Sequence, residues 1–229
     1  VPEPIFNFKD EATPSKYNEN AYQTVRSLAK YPVPIGSYAA SFSRIRVAVI
    51  LPVFNALDDV KECLSALETT TYPNYELIVA DDGSAPEVQD WLKSYVEKHK
   101  QIRLLIAKKN RGYTGNVNNA LKQAEVDYYI ILNSDTMVSG NWIEKLLIPS
   151  LEDPSVGISG ALSNAAGWQS VPFLRGDNTM PDHLDVKSVN ELLERRSDHP
   201  YYPLSDIVNG FCMCVKRSVF ETIGMFDGV

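Results

Sequence analysis

The segment YYIILNSDTMV, from Tyr128 to Val138, indicates the architecture of this chain most directly. Its first five residues are apolar or aromatic without a break, a pattern typical of a strand buried on both faces of a parallel sheet. The run stops at Asn133, Ser134 and Asp135. Short polar residues at the carboxyl end of a buried strand lie where open α/β sheets bind ligands, but they also form helix caps and Asx turns. The segment alone leaves both interpretations open.

Around this segment, the apolar periodicity predicts strands that alternate with helices. Each of the first four strands ends in polar residues, which predicts a ligand site along one edge of a mainly parallel open sheet with Rossmann-like crossovers. A small β region is predicted near the C-terminus. The predicted elements are strand 45–53, helix 58–68, a turn and strand within 69–80, helix 86–98, strand 102–107, loop 108–116 leading into a helix that runs to 124, strand 128–132, helix 141–151, strand 156–162, helix 189–196 and β segment 207–216.

The domain organisation predicted from composition has two parts. Residues 1–44 contain repeated prolines and form a linker or arm with a short helix near residues 16–30. Residues 45–229 form the α/β domain. The chain begins on Val1 and ends on Gly228 and Val229 in the middle of a pattern, so we expect an excised piece of a longer protein.

Composition excludes several classes of protein. The formal net charge is -7 and no basic cluster is present, so nucleic acid is not an expected partner. Neither a membrane span nor a signal peptide is predicted, because the long apolar runs that they require are absent. The cysteines Cys63, Cys212 and Cys214 lack the spacing of a disulfide framework or a zinc site, and we predict buried free thiols in a reducing compartment.

Candidate ligand-binding residues follow the second and third strands. Asp81 and Asp82 precede a turn in which Ser84 and Glu87 have capping-box spacing. A single cap does not need two preceding aspartates, so one of them is a candidate acceptor for a nucleobase N–H or a ribose hydroxyl. Asn110, Gly112, Gly115, Asn116 and Asn118 precede or open the helix that follows the loop KKNRGYTGN. The spacing of the glycines matches neither a dinucleotide fingerprint nor a Walker A loop.

Asp135 is the candidate metal ligand, because the predicted site is acidic and a diphosphate there needs a cation. A diphosphate facing unpaired carboxylates would be repelled by about 4 kcal/mol per charge pair at about 4 Å and an effective dielectric constant of about 20. A divalent cation, Mg²⁺ or Mn²⁺, held by Asp135 with Asn133 would remove that repulsion. In the long segment 163–203, Trp168, Arg175 and His183 are candidate acceptor contacts, although ordinary loop packing explains each equally well.

Taken together, these motifs resemble the large family of inverting, nucleotide-sugar-dependent glycosyltransferases with the GT-A fold, especially its bacterial rhamnosyltransferase-like members. The resemblance runs in family order from about residue 46 to the end of the chain. The motifs that carry it are VAVILPVFN, TTTYPNYELIVADDGS, NRGYTGNVNNAL, LNSDTMVSGNW, LSNAAGWQS and VNGFCMCVKRSVFETIGMFD.

The resemblance implies roles for the matching positions. Asn133-Ser134-Asp135 stands where the family keeps its Asp-x-Asp metal motif, which makes Asp135 the metal ligand and Mn²⁺ or Mg²⁺ the cofactor. The implied nucleotide-binding residues are Pro52, Phe54, Asn55, Asp81, Asp82, Asn110, Gly112, Asn118, Asn133 and Ser134. Residues 45–229 would then be the GT-A nucleotide-sugar-binding domain.

The resemblance also implies partners and a location. We expect a UDP- or dTDP-linked sugar as donor, and a glycan, a lipid-linked molecule or a protein as acceptor, in polysaccharide biosynthesis in the cytoplasm or at the inner face of the cytoplasmic membrane. In the family the catalytic base follows the Gly-x-Phe-Asp segment. Here GMFDG is followed by one residue, so we expect the domain to be C-terminally truncated and without its base.

Two alternatives remain open at this point. The first is a non-catalytic nucleotide-sugar or protein interaction domain that reuses the fold. The second, a hydride-transferring Rossmann enzyme, is disfavoured because the first strand leads into Pro-Val-Phe-Asn rather than a Gly-rich turn.

Overall fold

A computed structural model describes residues 35–171, 173, 175–179, 184–196 and 205–228. These residues divide into two compact units. The first unit contains residues 35–161 and 208–228, and the second contains the described residues between 162 and 207. The helix predicted near residues 16–30 and the candidate His183 lie outside the described residues.

The first unit is built on a six-stranded sheet. Its strands are β1 (Val47–Val53), β2 (Tyr75–Asp81), β3 (Ile102–Ile106), β4 (Tyr128–Leu132), β5 (Ile158–Gly160) and β6 (Cys212–Lys216). They lie in the order β3-β2-β1-β4-β6-β5. The first four pair in parallel, whereas β6 is antiparallel to both β4 and β5. This arrangement confirms the predicted mainly parallel sheet with a small β region near the C-terminus.

Helices follow the strands as the periodicity predicts. They are α1 (Ala39–Phe42), α2 (Leu57–Leu67), α3 (Pro86–Lys98), α4 (Gly112–Leu121), α5 (Trp142–Glu152), α6 (Val186–Arg196) and α7 (Arg217–Ile223), with 3-10 turns at Ile35–Tyr38 and Gly167–Gln169. Helix α6 belongs to the second unit and the other helices to the first. Within the part of the chain that the structure describes, no helix combines the length and the apolar character needed to cross a membrane.

The core explains why β1 and β4 read as unbroken apolar runs. Every residue of these two strands is buried, since strand pairing covers both edges and packing covers both faces. On one face, Ala48 and Ile50 pack in a cluster with Val117 and Leu121 of α4. The thiols of Cys63, Cys212 and Cys214 are free and buried, as predicted.

Neither position with capping-box spacing in the sequence, Ser84 with Glu87 or Asn141 with Glu144, forms a capping box in the structure. Helix α3 has Ala85 at its N-cap, and no side chain caps it. The Ser84 hydroxyl instead accepts a hydrogen bond from the loop after β1. Asn141 does occupy the N-cap of α5, but its side chain makes no capping bond, and Glu144 is buried. At Ser84, a contact with a distant loop replaces the local capping bond.

Candidate functional site

The candidate site lies where the order of the strands reverses. From β1 the chain builds β2 and then β3 on one side, and it crosses back to place β4 on the other side of β1. The loops that follow β1 and β4 therefore leave the sheet in opposite directions. In open α/β sheets the crevice at such a switch point is the usual ligand site. The loop after β1 carries Phe54 and Asn55, and the loop after β4 carries Asn133, Ser134 and Asp135.

The loops after β1 and β2 are joined by reciprocal hydrogen bonds. The Asn55 backbone N–H donates to Ser84 Oγ at 2.8 Å, and the Ala85 N–H donates to Asn55 Oδ1 at 2.9 Å. The Asp82 N–H donates to the Val53 carbonyl at 2.8 Å. Asn55 has a left-handed backbone with φ 57°, a conformation that asparagine adopts more readily than most residues. These bonds hold the loops after β1 and β2 together at one side of the candidate site.

Pro52 and Phe54, two candidates that precede Asn55, differ in exposure. Pro52 is buried within β1, where it pairs with Ala80 of β2. Phe54 leaves the sheet and is 53% exposed, so its ring is available to a ligand at the end of β1.

The two adjacent aspartates have different surroundings. Asp81 is 0% exposed, and it accepts hydrogen bonds from the Gln89 side chain at 2.9 Å and from the N–H groups of Gly83 and Ser84 at 3.2 and 3.3 Å. Both of its oxygens are therefore occupied in organising the turn. Asp82 is 3% exposed, and only its Oδ1 has a partner, the Arg111 N–H at 2.8 Å.

The remaining oxygen of Asp82 can accept a hydrogen bond from a ligand. In the described residues, no fully buried side-chain nitrogen or oxygen lacks a hydrogen-bond partner. Oδ2 of Asp82 has no partner among these residues, so it must reach the molecular surface. A nucleobase or ribose donor can approach this atom, whereas both Asp81 oxygens are already engaged.

The turn after β2 packs closely against the loop after β3. Gly83 has φ +75°, and a Cβ there would lie 3.0 Å from the backbone nitrogen of Asn110 and from the carbonyl carbon of Lys109. Asn110 Oδ1 in turn accepts from the N–H of Gly112, the first residue of α4, at 2.8 Å. Gly112 also has a positive φ, +77°, but it faces open space. The fold thus places the start of α4 beside Asp82.

The loop after β4 carries the candidate metal ligand. The Asn133 N–H donates to the Phe211 carbonyl at 2.8 Å, and the Thr136 N–H donates to the Asn133 carbonyl at 3.2 Å, which fixes a turn. Ser134 lies in this turn and is partly exposed. Asp135 is exposed, and its carboxylate forms no hydrogen bond or ion pair with any described residue.

Tyr113 is a site residue that the sequence analysis missed. Its hydroxyl, in the first turn of α4, donates to Asn133 Oδ1 at 3.4 Å and so spans from α4 to the loop after β4. Burial, and then the nearby negative charge of Asp135, raise the pKa of the Tyr113 phenol. The hydroxyl therefore stays protonated beside the candidate metal ligand.

Asn118 is engaged elsewhere. Its Nδ2 donates to the Phe226 carbonyl at 2.7 Å, and its Oδ1 accepts from the Phe226 N–H at 3.2 Å, which ties α4 to the segment after α7. Its neighbour Asn116 was named in the sequence analysis without this structural role. Asn116 donates to the Ala80 carbonyl at 2.6 Å and anchors α4 to β2. The expected contact of Asn118 with a diphosphate stays a prediction.

The side-chain oxygens available here suit a metal ion that is shared with a bound ligand, rather than one held by the protein alone. No cluster of three or more His, Cys, Asp or Glu side chains that could hold a metal occurs among the described residues. Asp135 nevertheless offers an exposed carboxylate without a competing bond. Mg²⁺ is commonly held by one or two carboxylates, with waters and substrate phosphates completing its coordination.

Two other candidates lie together in the second unit. The Arg175 guanidinium carbon is 3.5 Å from the centroid of the Trp168 ring, which is a stacked cation–π contact. Both side chains are exposed.

Comparison with known proteins identifies the family. The sequence profile described as glycosyl transferase family 2 matches residues 48–224. Relatives include the uncharacterized glycosyltransferase YibD of Escherichia coli K12, 31% identical over 61% of this chain and 43% of its own length. Glycosyltransferase GlyA of Streptococcus pneumoniae is 30% identical over 78% and 25% of the two chains, and a poly(ribitol-phosphate) beta-glucosyltransferase of Bacillus spizizenii is 29% identical over 60% and 22%. The chain thus spans less than half the length of each of these relatives.

Solved structures support the same assignment at the level of the fold. A mannosyltransferase from Pyrobaculum calidifontis, in complex with GDP-Man and Mn²⁺, superposes with a TM-score of 0.62 at 21% identity, over 92% of this chain and 55% of that chain. TarS 1-349 of S. aureus gives 0.53 at 17% identity, over 78% and 49% of the two chains. These likenesses confirm the predicted GT-A type of α/β fold. Because the family profile also covers more than half of the sequence, this chain belongs to glycosyl transferase family 2.

Proposed function

We propose that this chain is the donor-binding domain of a glycosyltransferase that moves a sugar from a nucleoside diphosphate sugar to an acceptor hydroxyl, with inversion at the anomeric carbon. The observation that carries the proposal is the position of Asp135: an exposed carboxylate without a hydrogen bond, at the switch point of the sheet. Family membership and the GDP-Man and Mn²⁺ of the mannosyltransferase complex support it.

Donor binding would divide between two ends of the crevice. At one end, the surface oxygen of Asp82 accepts a hydrogen bond from the nucleobase or ribose, and the exposed Phe54 ring packs against them. At the other end, the N-terminus of α4, where the Gly112 N–H already bonds to Asn110 Oδ1, offers a partial positive charge to the diphosphate. Gly112 lets the backbone approach the ligand, because nothing lies within 4 Å of its Cβ position.

Electrostatics assign the cation to Asp135. Asp82 and Asp135 are both carboxylates, so a diphosphate placed between them is repelled unless a positive charge intervenes. Mn²⁺ or Mg²⁺ bound to Asp135 would supply that charge and stabilise the departing nucleoside diphosphate. Asn133, whose Oδ1 has only the long bond from Tyr113, is the second candidate ligand.

The described residues position the donor, and we assign none of them as the base that deprotonates the acceptor. Asp206 and Asp227 do not occupy the place where the family keeps that base. Attack from the side opposite the leaving diphosphate would invert the anomeric centre. Further proposals are a rhamnosyltransferase-like subtype, a UDP- or dTDP-linked donor, and a glycan, lipid-linked or protein acceptor in polysaccharide biosynthesis at the cytoplasmic side of the membrane.

Calorimetric titration with UDP, dTDP and GDP, each with and without Mn²⁺, tests the proposal. We expect one nucleotide to bind in a Mn²⁺-dependent manner, and Asp135→Asn to weaken that binding by at least about tenfold, since a charged partner contributes about 1.5–3 kcal/mol. Asp90→Asn is the matched control, because Asp90 is an exposed carboxylate on α3 whose ion pair among the described residues is with Lys93. Either a wild-type protein that binds none of the three nucleotides or an Asp135→Asn variant with unchanged Mn²⁺ dependence would overturn the assignment.

A further inference from the structure

In the second unit, residues 163–171, 173 and 175–178 belong to a braced loop, called here the Trp168 loop. Ser163 and Ser170 form a short parallel bridge, with the Ser163 N–H donating to the Gln169 carbonyl at 2.9 Å. Ser170 is fully buried, and its hydroxyl accepts from the Ala166 N–H at 2.8 Å. The 3-10 turn Gly167–Gln169, which carries Trp168, is thereby held on both sides.

Asn178 connects the far end of the loop to its start. Its Oδ1 accepts from the Phe173 N–H at 3.1 Å, and its Nδ2 lies 2.9 Å from the carbonyls of Asn164 and Phe173 and 3.1 Å from that of Gly176. Its own N–H donates to the Asn164 carbonyl at 2.9 Å. One side chain thus fixes three backbone positions, so the shape of the loop is set by its own hydrogen bonds.

The braced loop presents aromatic rings to solvent. Trp168 is 57% exposed and Phe173 is 73% exposed. Large aromatic side chains usually contribute to stability through burial, and these two do so only in part. Exposed aromatic side chains on a fixed scaffold are typical of interaction surfaces.

Arg175 adds a cation in an unusual conformation. Its φ of 60° is left-handed, which is unfavourable for a side chain with a Cβ, and its N–H donates to the Gly167 carbonyl at 2.8 Å. Its guanidinium carbon lies over the Trp168 ring, and the guanidinium forms no hydrogen bond or ion pair with any described residue. Asp177, two positions along the chain and also exposed, does not pair with it.

We propose that the Trp168 loop binds an anionic saccharide. A sugar ring would pack its C–H face on the exposed aromatic surface of Trp168 and Phe173, and a phosphate or carboxylate on the sugar would accept hydrogen bonds from the free edge of the Arg175 guanidinium. A guanidinium that stacks on an aromatic ring keeps its N–H groups in the plane of the fork, which suits bidentate recognition of such anions.

A saccharide fits this surface better than an anionic membrane does. Electrostatic attachment to a membrane takes clusters of about 4–8 basic residues. Between Leu162 and Thr179 the sequence has one basic residue, Arg175, and one acidic residue, Asp177. Binding itself does not depend on the donor site, although the role of the bound chain as acceptor or product rests on the function proposed above.

The test uses acidic and neutral saccharides of matched length. The carboxylate probe is a galacturonic acid oligomer, compared with the galactose oligomer of the same linkage, and the phosphate probe is a phosphorylated mannose oligomer, compared with the unphosphorylated one. Calorimetry is expected to show tighter binding of at least one acidic probe than of its neutral counterpart. Arg175→Gly should reduce the ratio of the affinities for the acidic and the neutral oligomer by roughly tenfold or more, because charged hydrogen bonds are lost. Trp168→Ala should weaken both the acidic and the neutral member of the pair.

Glycine suits a left-handed backbone, so Arg175→Gly should fold with an unchanged or higher Tm. Arg44→Ala, which removes an exposed arginine from the other unit, is the charge control and should bind as wild type does. Equal affinity for acidic and neutral oligomers, no effect of Arg175→Gly, or binding only to vesicles that contain phosphatidylserine would overturn the proposal. Saccharide binding without binding of any nucleotide would refute the donor-site function and leave this inference standing.

Discussion

Replacing Gly83 with alanine should separate two costs that the structure predicts at the turn after β2. The first is backbone strain, because a residue with a Cβ in the left-handed region costs about 1–2 kcal/mol. The second is overlap, because the new Cβ would lie 3.0 Å from backbone atoms of Lys109 and Asn110. Inserting a methyl group into a packed position costs about 1–3 kcal/mol. Together they predict a loss of about 2–5 kcal/mol in the free energy of unfolding.

Gly112→Ala is the matched control for this experiment. Gly112 has almost the same φ, +77° against +75°, but nothing lies within 4 Å of its Cβ position. It should therefore lose only the strain of about 1–2 kcal/mol. Urea denaturation gives both free energies of unfolding. Hydrogen exchange at the Arg111 amide, which donates to Asp82, should also accelerate in Gly83→Ala as the two loops separate. Equal destabilisation in the two variants would refute the idea that close backbone packing holds these loops together.

Three further predictions follow from single side chains. Burial raises the pKa of the Glu144 carboxyl, so the folded protein favours the protonated side chain. The stabilisation from protonated Glu144 is therefore full below the pKa of the unfolded state and is lost as the pH rises through the pKa of the folded state. Urea denaturation should therefore show that Glu144→Gln gains stability relative to wild type between about pH 4 and about pH 8, and a gain independent of pH would contradict this. Burial raises the pKa of Cys63 to about 12, and Asp135 adds to the effect, so mass spectrometry should find Cys63 unmodified by iodoacetamide in the folded protein and alkylated in urea. Rapid alkylation of the folded protein would argue against the described packing. Tyr113→Phe should weaken Mn²⁺-dependent nucleoside diphosphate binding several-fold to roughly tenfold, because the hydroxyl that donates to Asn133, the second candidate metal ligand, is removed. Tyr95→Phe, which removes a hydroxyl bonded to Glu68, is its control, and equal affinities in the two variants would contradict the role of Tyr113.

Much of the fold could be predicted because its determinants are local. The unbroken apolar runs of β1 and β4 predict burial on both faces, and the spacing of Val60, Leu64 and Leu67 predicts the inner face of α2. The parallel order then follows from the alternation of strands and helices. The ends of the short strands β5 and β6 were less predictable, because the apolar residues that flank them continue the same pattern without joining the sheet.

The candidate site was predictable as a place but only partly as a set of contacts. Polar residues at the ends of parallel strands must lie along one edge of the sheet. The hydrogen-bond partner of each polar group depends on how loops that are distant in sequence pack together. Asn116, Asn118 and Asn133 are the same residue type, but their partners are the backbone of β2, the backbone at Phe226 and the Tyr113 hydroxyl. No local pattern distinguishes these three outcomes.

The central position of β1 has a consequence for how the chain acquires its structure. Val47 pairs with Tyr128, about 80 residues later, and Leu132 pairs with Cys212 after a similar interval. At synthesis rates of about 5–20 residues per second, β1 emerges from the ribosome several seconds or more before its second neighbour exists. During that time an apolar strand with an open edge is exposed to pairing with other chains. Folding of this domain should therefore be slow, and its yield should depend on protection of the nascent chain, because a fully buried strand is completed by a partner about 80 residues away in sequence.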